Sequence, residues 1–344
     1  RSAGSGQQGS DPQDPPAIVI LIPLFNDWPA LAKLLLRLDA VLLENSLHAD
    51  VLVVDDGSTD PAPQALSGLA YRALKRVSVL HLRRNLGHQR AIAIGLAYVE
   101  ARLGCEAVVV MDGDGEDDPQ DVPRLVEHSR REGGTSIVFA ERTRRSESWL
   151  FRVFYVLFRI LHRLLTGHGV RVGNFSLIPR VRLASLVVVS EMWSHYAAAA
   201  FVSRQPRAAI PTRRAPRLDG RSSLGFTQLV THGLRAIAVF RELAGVRMLV
   251  AGTALTSLAL LGIAATAALE IWGSLRFPAW EVTLLGLFVV LLVQAVLFAF
   301  FLTFVLLSDL SGAPMLPARD YAFFVGGLTV LFPATNPAAV PSSR

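Results

Sequence analysis

Val108-Val109-Val110-Met111-Asp112-Gly113-Asp114-Gly115-Glu116-Asp117-Asp118-Pro119 is an apolar run that stops at an acid, a small residue and a second acid. Such a run, closed by a polar stop, predicts a short strand at the centre of a parallel sheet, where both faces are covered. The carboxylates then stand at the carboxyl edge of the sheet, where α/β proteins bind ligands. Side chains at i and i+2 of an extended backbone share a side, so Asp112 and Asp114 can grip one hard cation. A cation of that kind keeps some waters and takes its remaining ligands from substrate phosphates. The plainer reading is a solvated acidic turn leading into a helix at Pro119. It leaves the run of acids unexplained in a chain whose net charge is +6.

Other apolar runs repeat the pattern upstream and downstream. Ala17 to Ile22 reads as a first strand, broken by Pro23, and Leu31 to Leu43 has apolar residues at helical spacing. Val51 to Val54 reads as a second buried strand that ends in Asp55-Asp56-Gly57-Ser58. Val77 to Leu82 is a third, followed by Asn85-Leu86-Gly87 and a helix from about His88 to Ala101. Ala107 to Met111 is the fourth and Ser136 to Ala140 the fifth. Short strands alternating with helices predict an α/β, Rossmann-like fold with a mainly parallel sheet. Gly87 and Gly95 read as turn and packing glycines, and His162 and His168 have no partner at zinc spacing.

The chain has 344 residues, 51% of them hydrophobic, and the excess lies near its end. Met248 to Glu270 and Val282 to Leu307 are long enough to cross a bilayer, with Gln294 the only strongly polar residue of the second. Trp272 and Trp280 flank the short connection, where interfacial aromatics sit. Arg235, Arg241 and Arg247 precede the first run, whereas the connection holds only Arg276. The positive-inside rule then predicts a transmembrane hairpin with the N-terminal domain in the cytoplasm of an integral inner-membrane protein. Tyr321 to Phe332 is too short to span and is expected at the interface. The lone Cys105 excludes an internal disulfide.

Ser146 to Thr166 carries basic and aromatic residues on separate helical faces, and Phe226 to Val246 looks like a second interfacial helix. Between them Arg204, Arg207, Arg213, Arg214, Arg217 and Arg221 are interrupted by Pro206, Pro211 and Pro216. A loop this basic beside a membrane suits anionic headgroups or phosphates. The expected organisation is a flexible tail (1–16), an α/β core that carries the acidic motifs (17–145) and a basic membrane-interface part (146–247). A transmembrane hairpin (248–307, with spans 248–270 and 282–307) and a C-terminal cytoplasmic tail (308–344) complete it. Partners are expected to be small molecules and membrane lipid, with no nucleic acid and with room for a homo-oligomer.

With these features assembled, the chain resembles the family-2 glycosyltransferases of GT-A fold. The branch it is most similar to is the polyprenyl-phosphate glycosyltransferases, related to dolichol-phosphate mannose synthase. The matching stretches are Ile22-Pro23-Leu24-Phe25-Asn26, Val54-Asp55-Asp56-Gly57-Ser58-Thr59-Asp60, Arg84-Asn85-Leu86-Gly87-His88, Asp112-Gly113-Asp114, Gly173-Asn174-Phe175-Ser176-Leu177 and Arg217-Leu218-Asp219-Gly220-Arg221-Ser222. The likeness runs from about residue 17 to 307.

The resemblance implies that Asp55 and Asp56 hold the nucleoside of a UDP- or GDP-sugar, with Pro23 and Asn85 shaping the pocket. It implies that Asp112 and Asp114 bind Mg²⁺ or Mn²⁺ on the diphosphate, with Glu116 helping to hold the metal. Arg142, with Arg217 and Ser222, is implied to clamp phosphate oxygens through charge-assisted bonds. The acceptor implied is a polyprenyl phosphate such as undecaprenyl phosphate. A second acidic motif downstream, which a hydroxyl acceptor needs as general base, is missing. A lipid phosphate is already ionised and can attack the anomeric carbon unaided, with inversion. Three positions depart from the pattern: Asn174 where relatives often have Asp, Ser223 where many have Lys, and Glu141 beside Arg142.

Three other readings compete. An aspartyl phosphatase also sets Asp-Xaa-Asp at a strand end, but it wants Thr or Val where this chain has Glu116, and it leaves Asp55-Asp56 unexplained. A non-catalytic membrane protein that keeps the nucleotide-sugar fold would tolerate all three departures. A transporter finds no pathway in two spans with one polar residue unless the chain oligomerises.

Overall fold

Ile18–Leu24 is buried along its whole length and forms β1, the kind of strand that a parallel sheet with two covered faces requires. The other strands are β2 (Ala49–Asp55), β3 (Leu74–Leu82), β4 (Ala107–Val110), β5 (Ile137–Arg142), β6 (Val172–Pro179), β7 (Arg207–Thr212) and β8 (Val325–Phe332). They make one eight-stranded sheet in the order β7-β5-β6-β4-β1-β2-β3-β8. The central strands β3, β2, β1 and β4 run parallel, as does the β5–β7 pair, while β6 and β8 run against their neighbours. The computed structural model describes residues 18–63, 66, 69–142, 156, 160–167, 172–219, 233, 235–272, 279–309 and 315–333, of which 142, 255, 266, 267, 269–271, 279–284, 300 and 302–309 by their backbone alone.

The helices of this part are α1 (Trp28–Glu44), α2 (His88–Arg102), α3 (Asp121–Arg131), α4 (Arg180–Leu186) and α5 (Tyr196–Val202). Alternation along β1 divides its side chains between two cores. Ile18, Ile20, Ile22 and Leu24 pack with α1 and α3 on one face, and Val19 and Leu21 pack with α2, α4 and α5 on the other. The result is a three-layer α/β arrangement. Leu31, Leu34, Leu35 and Leu38 bury one side of α1 completely, and each such burial contributes about 1.5–3 kcal/mol.

Contacts divide the chain into two compact units, with Glu147–Val170 and Leu224–Pro314 forming the second. That second unit holds α6 (Arg241–Ile271) and α7 (Ala279–Asp309), which pack on one another. The 25-residue segment Arg241–Ala265 of α6 reaches a mean hydropathy of 2.0 in its most apolar stretch and buries none of that stretch. Among the described residues it is the one helix long and apolar enough to cross a bilayer by length and composition. Leu258, Leu261, Leu297 and Phe301 are each more than 60% exposed on these two helices. A helix covers residues 160–166, within the stretch expected to be amphipathic, but most of 146–166 and of 226–234 lies outside the described residues.

Four expectations are corrected. Pro23 does not break β1, which runs through it to Leu24. Pro23 sits one residue from the strand's end, where a missing N–H costs the ladder least. Tyr321 to Phe332 is not a loose apolar patch: most of it is β8, paired antiparallel with β3, and Tyr321 is buried. The segment from 308 onward is accordingly no mere tail, because it completes the sheet. Lastly, part of the Arg204–Arg221 loop is the edge strand β7, parallel to β5.

Candidate active site

β1 lies between two parallel neighbours, β2 on one side and β4 on the other, so the chain reverses its direction of winding there. Ligands of open α/β sheets bind outside the carboxyl ends of strands at such a switch point. Asp55 closes β2 opposite Leu24, the Asp56 N–H donates to the Leu24 carbonyl at 2.8 Å, and the Met111 N–H donates to the Leu21 carbonyl at 3.1 Å. Both acidic motifs therefore leave the sheet beside the end of β1.

The two acids after β2 do different work. Asp55 is buried; its Oδ1 accepts the Ser58 N–H at 2.9 Å and its Oδ2 lies 3.0 Å from His81 Nδ1. Asp56, 3% exposed, takes the Leu86 and Gly87 N–H groups on its two oxygens, each at 2.7 Å. Burial pushes the Asp56 carboxyl above the usual range, and those two hydrogen bonds work against that shift. Asp56 thus fixes the loop that carries Asn85. Gly57 holds that approach open: its φ is +70°, and a Cβ there would stand 2.6 Å from the Asn85 nitrogen. Asn26 ties the β1 end to the same region, accepting the Thr59 and Asp60 N–H groups on Oδ1.

The acidic turn after β4 is ordered by its own side chains. Asp117 Oδ2 accepts the Asp112 N–H at 2.9 Å, and Asp114 Oδ1 accepts the Glu116 N–H at 3.0 Å. Burial, with Asp112 and Glu116 nearby, holds the Asp114 carboxyl above the usual range, against the Glu116 N–H and Arg217. His88, the first residue of α2, sets Nε2 at 3.2 Å from Asp112 Oδ1. Enclosure works against a charge on His88, but Asp112, then Asp117 and Asp114, hold its imidazole above the ordinary range. Since Asp56 grips Leu86 and Gly87 while Asp112 meets His88, residues 86–88 join the two acidic motifs.

The basic segment after β7 is seated on this turn. The Leu218 N–H donates to the Asp114 carbonyl and the Ala215 N–H to the Glu116 carbonyl, each at 3.0 Å. Next to the Ala215 rung, Arg214 pairs with Glu116. Arg217 places Nη1 at 3.1 Å from Asp114 Oδ2, pairs through Nη2 with Asp27, and donates from Nε to the Asp219 carbonyl at 2.8 Å. Lys33 of α1 holds Asp219 at 2.5 Å. Close seating demands a glycine at 115: its φ is +80°, and a Cβ would stand 2.5 Å from Leu218 Cδ1. The strained conformation alone costs about 1–3 kcal/mol for an L-residue. Gly115→Ala is expected to unseat Leu218 and lower the activity of the site about tenfold or more. The added Leu218→Ala should restore only part of it, since it relieves the clash and not the backbone strain.

The structure brings together Asp112, Asp114, Glu116 and Arg217, and sets Pro23 beside them, with its carbonyl 3.4 Å from where a Cβ on Gly113 would be. Asp55, Asp56 and Asn85 gather at the neighbouring strand ends. Arg142 ends β5 opposite Thr212, and Ser222 lies outside the described residues. Asn174 accepts from Gln89 Nε2 at 3.2 Å and sets its Nδ2 at 3.0 Å from His88 Nε2. The Tyr196 N–H, bound to Gln89 Oε1 at 2.7 Å, fixes which way those amides point. Sequence reasoning missed Asp27, His81 and Gln89, and it gave Lys33 no role at the site. An acid just past β1 was the one signal available for Asp27.

Among the described residues no three His, Cys, Asp or Glu side chains converge to hold a metal ion. Asp112 and Asp114 still supply the hard oxygen donors that Mg²⁺ or Mn²⁺ takes, and such ions are commonly held by one or two carboxylates plus substrate phosphates. The donor set fits an ion shared with a diphosphate. Glu116 is turned to Arg214.

Residues 19–182 match the sequence model of glycosyl transferase family 2. The undecaprenyl-phosphate 4-deoxy-4-formamido-L-arabinose transferase of Edwardsiella ictaluri is 27% identical over 240 residues, covering 65% of this chain and 71% of that protein. Its counterpart in Pseudomonas aeruginosa (strain LESB58) is 32% identical over 131 residues, 38% of this chain and 37% of that protein. Among solved structures, glucosyl-3-phosphoglycerate synthase from Mycobacterium tuberculosis with Mn²⁺, UDP-glucose and phosphoglyceric acid is 17% identical. It covers 67% of this chain and 80% of that one, with a TM-score of 0.47. Residues 19–182, with the acidic motifs at the sheet's switch point, form a glycosyl transferase family 2 domain.

Proposed function

We propose that the chain moves one sugar from a UDP- or GDP-sugar to a polyprenyl phosphate, with inversion, at the cytoplasmic face of the inner membrane. The observation that carries the reading is the Arg217 fork between Asp114 and Asp27 over the switch point. It sets a cationic clamp against the acids where a leaving diphosphate would lie. The undecaprenyl phosphate for which the similar transferases are named supports the lipid. The exposed apolar surfaces of α6 and α7 support a transmembrane hairpin.

In the proposed step a lipid phosphate oxygen bonds to the anomeric carbon. The bond from that carbon to the nucleoside diphosphate breaks, and its electron pair leaves with the diphosphate. Asp112 and Asp114 would hold Mg²⁺ or Mn²⁺, which supplies positive charge to the departing diphosphate. Arg217 and Arg214 stand ready to exchange carboxylate for phosphate oxygens, and no residue has to remove a proton. Asp55 and the loop held by Asp56 shape the nucleoside pocket.

The test is incubation of purified protein with undecaprenyl phosphate, Mg²⁺ or Mn²⁺ and a panel of UDP- and GDP-sugars, including activated 4-deoxy-4-formamido-L-arabinose. Lipid mass spectrometry should find one sugar per lipid phosphate, and NMR the inverted anomer. Failure of every donor with well-folded protein would favour a non-catalytic sugar-nucleotide-binding protein. Retention of the donor's configuration would sink the direct attack.

A further inference from the structure

The last strand of the sheet reaches the candidate nucleoside pocket by a route that the mechanism does not use. β2, β3 and β8 lie side by side, with Asp55 opposite His81 and His81 opposite Gly327. Across them runs a chain of side chains: Asp55 Oδ2 is 3.0 Å from His81 Nδ1, and His81 Nε2 is 3.0 Å from Thr329 Oγ1, a residue 248 positions further along. An ionised Asp55 only accepts, so it selects the tautomer that carries the proton on Nδ1. Nε2 meets the Thr329 hydroxyl, which can donate to the ring's lone pair or accept its N–H, so the contact holds in either form of the ring. The imidazole thus bridges the Thr329 hydroxyl and the Asp55 carboxylate. Ser58 N–H fixes the other carboxylate oxygen at 2.9 Å.

We propose that His81 and Thr329 are positioning residues for the donor nucleoside, through which the C-terminal strand holds the Asp55 carboxylate in its binding orientation. This rests on the reading of Asp55 as a nucleoside-holding residue. A carboxylate aimed by two protein donors keeps lone pairs for a ligand and loses less freedom when the ligand arrives. β8 is thereby part of the donor site as well as the edge of the sheet.

The experiment measures binding of UDP and of GDP, each with Mn²⁺, by titration calorimetry on full-length protein in detergent, alongside thermal melts and donor kinetics. Thr329→Val keeps the shape and removes the O–H; it is expected to raise Kd and donor KM by about two- to tenfold, the span of one orienting hydrogen bond, with kcat unchanged. Thr329→Ser should restore wild-type values, and His81→Ala should weaken binding at least as much as Thr329→Val. A lower melting midpoint in Thr329→Val and His81→Ala with unchanged Kd means a purely structural role and overturns the proposal. Asp55→Asn separates this inference from its parent. If Asp55→Asn weakens binding while the other two variants do not, the positioning role alone fails. If Asp55→Asn leaves binding intact, or wild-type protein binds neither nucleotide, both readings fail.

Discussion

Asp114→Asn is expected to lower sugar transfer by about a thousandfold or more while leaving the protein folded, an order set by losing charge stabilisation of a leaving group. The side chain keeps its shape. Its oxygen can still accept the Glu116 N–H, and the Leu218 N–H still reaches the Asp114 carbonyl. What disappears is the negative charge facing Arg217 at 3.1 Å and available to a diphosphate-bound ion. Burial already holds this carboxyl above its usual range, so the ionised form is disfavoured in the folded protein. A neutral amide removes that cost, and the thermal midpoint should hold or rise slightly. Transfer and melting are the two readouts, measured on the same preparation. Activity within tenfold of wild type would remove Asp114 from the chemistry. A collapsed melting curve would assign it to the fold.

The parts of this site legible in the sequence are those built from buried strands. β1, β2, β3 and β4 are runs covered on both faces, so an uninterrupted apolar stretch followed by acids places Asp55, Asp56, Asp112 and Asp114 without any knowledge of their partners. The edges were not legible. β7 carries Arg207 and Pro211 and reads as a basic loop, since an edge strand tolerates a proline and exposes half its side chains. β8 contains Gly326 and Gly327 and follows two long apolar helices, so its pairing with β3 depends on contacts between distant segments. The same holds for individual side chains. Asp56 reads as a ligand-binding acid beside Asp55, yet both its oxygens are taken by backbone N–H groups. Asp27 is noticed only once Arg217 folds back onto it across 190 positions of chain.

Arg217→Ala is expected to reduce transfer by about a hundred- to a thousandfold, the loss that follows when one preorganised donor to a developing anion is removed. The guanidinium is a single planar fork that meets Asp114, Asp27 and the Asp219 carbonyl at once, and its side chain is only 24% exposed. Without it two carboxylates face each other uncompensated, and a diphosphate entering beside them adds further negative charge. Binding of UDP or GDP should therefore weaken more than binding of the corresponding monophosphate. A variant that merely loosened the segment after β7 would weaken both alike. Arg217→Lys should recover little, because an ammonium is a point charge that cannot fork between two carboxylates and later between phosphate oxygens. Nearly wild-type transfer in Arg217→Lys would mean that charge alone suffices. Equal weakening of mono- and diphosphate would turn the clamp into a brace for the Leu218 backbone rung, and the chemistry would then have to draw its positive charge from Arg214 or Arg142.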